Sequence, residues 1–248
     1  MSPHSFLFWA VLIAIALTIG VSKSGLPGVG ILAITWLPMV MPARASTGMI
    51  LPLLIVGDLF AVWYLGRHAV WRHLWKLLPC AVAGVLIGWL LLAHVNDRQL
   101  RPIIGIIILA MLALGAWRNR QAGAEAHIPD GWWFAVLMGL AGGITTMLAN
   151  AAGPIMIVYL LAMRLPKAAF VGTTAWYFLL VNIVKVPFSL QLGLITIDSL
   201  RFNLLLVPAI VAGNLLGMYL LKRIPEKGFN LAVQLFALLG AVRLLLPT

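Results

Sequence analysis

Acidic side chains are scarce in this 248-residue chain, with six Asp and Glu against 17 Lys and Arg. Cysteine is scarcer still. Cys80 stands alone, which excludes an intrachain disulfide and a cysteine metal cluster. Charged residues of both signs make up only 9% of the chain, against about 25% in soluble domains. The longest polar stretch, Arg118–Asp130, is too short to be a soluble domain. No G-x-x-x-x-G-K-[ST] loop occurs, which excludes nucleotide-driven pumping within the chain, and no H-E-x-x-H occurs. His4, His68, His73, His94 and His127 lie at segment ends or in loops, so no metal and no cofactor is expected. Ser24 has no histidine partner for a nucleophilic mechanism, and nothing else pairs a nucleophile with a base.

What the chain has in abundance is apolar surface: 63% of its residues are hydrophobic. No soluble core of this length could hide that share, so the lipid bilayer is the solvent and the fold class is an all-α membrane protein, a polytopic helical bundle. The basic residues sit at the ends of apolar runs rather than in a patch with interleaved aromatics. That placement fits lipid headgroups and excludes nucleic acid as a partner. Trp71, Trp75, Trp117, Trp132 and Trp133 flank apolar runs, as interface anchors do. Met1–Ser5 carries no Lys or Arg and no A-x-A-like site follows, so the first apolar run is expected to be retained.

Five apolar segments (6–21, 28–41, 44–66, 74–95 and 100–117) precede the polar stretch, and five (131–146, 152–164, 167–189, 201–221 and 228–246) follow it. At an offset of 124 residues, Trp9, Ile31, Met39, Pro42, Ala45 and Gly48 meet Trp133, Ile155, Met163, Pro166, Ala169 and Gly172. The pattern P-x4-G-x3-G also occurs twice, as Pro79, Gly84, Gly88 and as Pro208, Gly213, Gly217. These matches predict a duplication: a first membrane repeat at 1–117, a cytoplasmic linker at 118–130 and a second repeat at 131–248. Whether three or five segments cross per half, the number is odd, so the repeats are inverted. Ser22–Gly30 and Thr145–Pro154 interrupt the first segments of the two halves, predicting broken or re-entrant first helices. Ten Lys and Arg gather on one side of this topology and five on the other, placing the richer side in the cytoplasm and both termini in the periplasm.

Charges inside apolar runs cost about 2.5–3.5 kcal/mol each near a helix centre and mark function. Lys185 shares a helical stripe with Thr174, Phe178 and Asn182, and Pro187 frees the Ile183 carbonyl close by. A cation, an amide and a loosened backbone suit an anion; a lysine six residues from the segment end could equally snorkel to the interface. Asp58 occupies the first-half position equivalent to Asn182. It could carry a coupling proton, pair with a buried lysine, or merely pair with Arg67 or cap a neighbouring helix. Lys23 stands in the first break with Ser22, Ser24 and Gly25, and Thr145, Thr146 and Asn150 stand in the second. Exposed N–H groups at such breaks attract anions, whereas small residues there can also serve close helix packing.

The stretch GVSKSGLPGVGILAITWLPMVMPARASTGMILPLLIVGDL resembles the Gly-rich opening and Pro-Ala-rich third segment of the sulfite exporter TauE/SafE family of bacterial permeases. AGPIMIVYLLAMRLPKAAFVGTTAWYFLLVNIVKVP resembles it more closely through Ala152-Gly153-Pro154, Gly172-Thr173 and Asn182-x-x-Lys185-x-Pro187, while Pro27 and Val29 depart from the commoner opening. The resemblance implies an inner-membrane permease for sulfite, sulfonates or sulfoacetate-like anions. The expected substrate site is Lys23, Ser24, Gly25, Asn150, Gly153, Asn182 and Lys185, with Asp58 for a coupling proton. The alternatives are a membrane-embedded enzyme, a receptor-like scaffold or a carrier of a non-sulfur substrate. The oligomeric state stays open, a homo-oligomer included.

Overall fold

The computed structural model describes residues 6–30, 32–34, 37, 43–94, 96, 99, 131–225, 228–229, 231–232 and 235. The segment 100–117, the linker 118–130, much of 28–41 and most of 228–246 lie outside the described residues, as do His4, His127 and Trp117.

Among the described residues all regular structure is helical: α1 (Phe6–Ser24), α2 (Ala43–Leu65), α3 (Trp71–His94), α4 (Trp132–Ala149), α5 (Gly153–Ala162), α6 (Lys167–Gln191) and α7 (Ile197–Arg223), with a 3-10 turn at Gly66–His68. Five of these (α2, α3, α4, α6 and α7) are long and apolar enough to cross a membrane. At 1.5 Å per residue the ten residues of α5 span roughly 15 Å, about half a hydrocarbon core. Pro52, Pro79, Pro187 and Pro208 lie inside helices without ending them, since neighbouring helices compensate the lost backbone bonds in lipid. Trp71, Trp75, Trp132 and Trp133 are exposed in the first turns of α3 and α4, where interface anchors belong.

Both breaks are real, and both begin later than the sequence suggests. The first helix runs on through Lys23 to Ser24 before the amides of Gly25 and Leu26 close on the Val21 carbonyl and Gly28 turns with φ 107°. In the second half Thr145 and Thr146 are helical, and α4 ends only where Asn150 adopts the left-handed conformation at φ 56°. Asparagine tolerates that region because its short polar side chain can bond locally. Helical hydrogen bonding thus continues past the first small polar residues of each break.

Two close seams organise the bundle. Leu77, Ala81 and Val85 of α3 meet Gly139 and Gly143 of α4, so these helices run parallel. On α1, Leu17, Val21 and Gly25 meet Gly213 and Gly217 of α7, again in parallel. A methyl group at Gly84, Gly213 or Gly217 would meet backbone of the facing helix, and one at Gly88 would meet Met147 Cβ and the Ile144 carbonyl, so the glycines of both P-x4-G-x3-G patterns are required by close approach. Between the seams α2 and α6 cross antiparallel: Gly48 meets Leu194 at one end and Leu65 meets Gly172 at the other. Two apolar cores result. One is built by α1, α2 and α7 around Leu12, Ile15, Leu53 and Ile210. The other is built by α3, α4, α5 and α6 around Leu77, Phe134, Ile155 and Val181 and takes in Leu65 and the end of α7 at Leu221.

Candidate anion site

Where α2 crosses α6, the apolar interior gives way to a chain of buried polar groups. Lys23 Nζ, from the last turn of α1, lies 2.7 Å from Asp58 Oδ1 on α2. The other carboxylate oxygen accepts a hydrogen bond from Asn182 Nδ2 on α6, at 2.8 Å. Asn182 Oδ1 in turn accepts from Lys185 Nζ at 3.3 Å. Lys185 also donates to Thr146 Oγ1 on α4, at 3.2 Å, and to Asn150 Oδ1 in the second break. Asn150 Nδ2 donates to the Thr47 carbonyl of α2 at 3.0 Å, closing a path between the two cores.

These contacts decide between the readings left open by the sequence. Lys185 is 1% exposed and does not snorkel. Its acceptors are three side-chain oxygens, and the Ile183 carbonyl freed by Pro187 is not among them. Asp58 is fully buried, and its two oxygens face Lys23 and Asn182 rather than Arg67. Asp58 and Asn182, joined here, are 124 positions apart, the offset at which the sequence matches itself.

Beside this chain lies a cavity of about 60 Å³, room for a small polyatomic ion or a few waters. Ser22, Lys23, Thr146, Asn150, Thr174 and Asn182 form its polar wall. Ile19, Leu54, Ile157 and Phe178 are among its apolar residues, and Gly28, Gly153 and Pro154 bring backbone to it from the two breaks. Lys23 Nζ sits 4.3 Å from the centre of the Phe178 ring, a cation–π contact. The start of α5 has no side-chain cap. The positive dipole end of this helix therefore meets the cavity at Gly153 and Pro154.

Of the residues expected from the sequence, Lys23, Asn150, Gly153 and Asn182 line the cavity, as do Thr174 and Phe178 of the same α6 stripe. Asp58 and Lys185 stand one contact behind the wall. Ser24 and Gly25 are elsewhere. The Ser24 hydroxyl is fully buried and donates to Asn214 Oδ1 of α7, and Gly25 abuts Gly217. Close helix packing accounts for these two, since a small side chain that opens a cavity equally admits a neighbouring helix. Thr146 and Thr47 were not singled out as site residues. Thr146 could be found from its place in the break; Thr47 meets Asn150 through its backbone carbonyl, which leaves no mark in a sequence. Among the described residues no group of three or more His, Cys, Asp or Glu is placed to hold a metal ion.

Comparison with known proteins identifies a family. A family model described as "Sulfite exporter TauE/SafE" matches residues 12–244. The "Probable inner membrane transporter protein TsaS" of Comamonas testosteroni is 26% identical over 182 residues, covering 72% of this chain and 73% of that protein. No solved structure matches.

Proposed function

The chain belongs to the sulfite exporter TauE/SafE family, and from that premise we propose that it is a secondary transporter carrying a small anion by alternating access. Its family makes it a membrane transporter, and its five long apolar helices make it multi-pass. We assign it to the inner membrane, which is where the name of its Comamonas relative puts that protein.

The observation that carries the anion reading is a charge count. One connected cluster holds two lysines, Lys23 and Lys185, and a single carboxylate, Asp58, which meets Lys23 and Asn182; the other groups are amides and hydroxyls. The cluster is one negative charge short, and in a low-dielectric interior that deficit attracts an anion. Lys23, Asn150, Asn182 and the α5 N-terminus surround the space where it would sit. An anion drawn to Lys23 competes with Asp58 for the same ammonium. Asp58 released in this way is an unpaired buried carboxylate and takes up a proton, which couples the two fluxes. Sulfite, sulfonates and sulfoacetate-like anions are the substrates in keeping with the family name.

The inverted repeat, 1–117 and 131–248 about a cytoplasmic linker at 118–130, belongs to the same reading, with both termini in the periplasm. It is supported by the reciprocal seams, in which the first helix of each half lies against the last described long helix of the other. The antiparallel crossing of α2 and α6 at equivalent residues supports it too.

Flux into proteoliposomes tests the proposal. Sulfite or a small sulfonate should enter saturably with wild-type protein, and Lys23→Gln should reduce entry at least about tenfold while leaving insertion intact. An imposed pH gradient should change the wild-type rate and leave Asp58→Asn indifferent. Equal flux through a well-inserted Lys23→Gln protein would refute the anion site.

A further inference from the structure

We propose that Lys185 is a positioning residue that aims two asparagine amides across the interface between the cores, and that it does not touch the transported anion. The inference rests on the alternating-access reading but concerns what the interface does with no anion bound.

An ammonium group has three hydrogens and no more. All three of Lys185 are directed at oxygens of the protein: Thr146 Oγ1, Asn150 Oδ1 and Asn182 Oδ1. The side chain is 1% exposed and is not among the residues lining the cavity. No donor is left over for a ligand.

What Lys185 does have is command of two amides at once. A carboxamide can be turned end for end with little change of shape, exchanging its oxygen for its NH2 group. By holding Oδ1 of both Asn150 and Asn182, Lys185 leaves each NH2 group pointing away from itself. Both then reach α2: Asn182 Nδ2 donates to Asp58 Oδ2, and Asn150 Nδ2 donates to the Thr47 carbonyl. Turned the other way, each amide would set an oxygen against a carboxylate or a carbonyl and would repel α2 where it now binds. Asn150 belongs to the break after α4 and Asn182 to α6, and the acceptors of their NH2 groups belong to α2. One cation on the side of the second core thus sets the polarity of two hydrogen bonds that join it to the first. Asn150 is also the residue whose left-handed backbone ends α4, so the same contact steadies the break. Opening of the cavity between the cores has to break these two bonds, and Lys185 keeps both amides aimed for their return.

Thiol labelling without any anion tests this. In a Cys80→Ala background, Ser22→Cys places one thiol on the cavity wall. Its reaction rate with a membrane-impermeant maleimide, in proteoliposomes, reports how far the interface is open. Lys185→Met should change that rate at least about fivefold, Asn150→Ala and Asn182→Ala should change it in the same direction, and Lys185→Met with Asn150→Ala should go little further than either alone. Lys185→Gln supplies an uncharged donor to the same oxygens and should stay nearer to wild type than Lys185→Met. The proposal is overturned if Lys185→Met labels like wild type, if Lys185→Gln is as altered as Lys185→Met, or if the effects of Lys185→Met and Asn150→Ala multiply. Because labelling is read without substrate, absence of flux would remove the transport reading and leave this result standing, and the converse also holds.

Discussion

Two lysines lie within one connected cluster and are treated in opposite ways. Lys23 is 10% exposed at the cavity, balanced by a carboxylate and resting against an aromatic ring. Lys185 is farther in, with no carboxylate in contact and only neutral oxygens around its charge. A cation balanced by a formal charge can exchange that partner for another anion. A cation held by dipoles has nothing to exchange, since each dipole is fixed to the backbone of a different element. The pair separates two tasks, capture of a ligand and maintenance of the geometry that surrounds it, and gives each its own lysine.

The largest effect expected from breaking this comparison is on the Lys23 side. Asp58→Ala leaves an ammonium without its counter-charge and should cost about 3–5 kcal/mol of stability, whereas Lys23→Met with Asp58→Leu removes both charges and should cost far less. Thermal unfolding of detergent-purified protein, followed by tryptophan fluorescence, distinguishes them; equal losses would mean the ion pair is not the unit described here. On the other side, Lys185→Met leaves two amide oxygens and a threonine hydroxyl without their donor and should cost about 1–3 kcal/mol in the same measurement. A larger loss than that of Asp58→Ala would reverse the ranking of the two sites. The smallest effect sharpens the comparison further. Phe178→Leu removes the cation–π contact and, beyond its packing loss, should cost about 0.5–1 kcal/mol that vanishes where Lys23 is already Met and persists where only Lys185 is changed.

Much of the site was legible because helical spacing is written directly into the order of residues. Thr174, Phe178 and Asn182 recur at intervals of four, and all three line the cavity on one face of α6. The interruptions at Ser22–Gly30 and Thr145–Pro154 were legible from their small residues, although the helices continue into both. The partnerships were not. Lys185 takes its acceptors from residues 35 and 39 positions away as well as from its own helix, and nothing in the spacing pairs them. Ser24 and Gly25 show the same limit from the other direction, because a serine and a glycine beside a lysine look alike whether they face a cavity or Asn214 and Gly217.

The sequence by itself determined the solvent, the helical class, the breaks and the set of polar residues that have to be accounted for. Apolar length and charge scarcity leave no other way to satisfy the backbone in lipid. Only the tertiary structure decided which polar residue serves which task. That assignment depends on the antiparallel crossing of α2 and α6, which brings Asp58 to Asn182 and the second break to Thr47. A buried charge is stabilised by whatever lies within a few ångströms of it, and in a bundle those neighbours come from helices far apart along the chain.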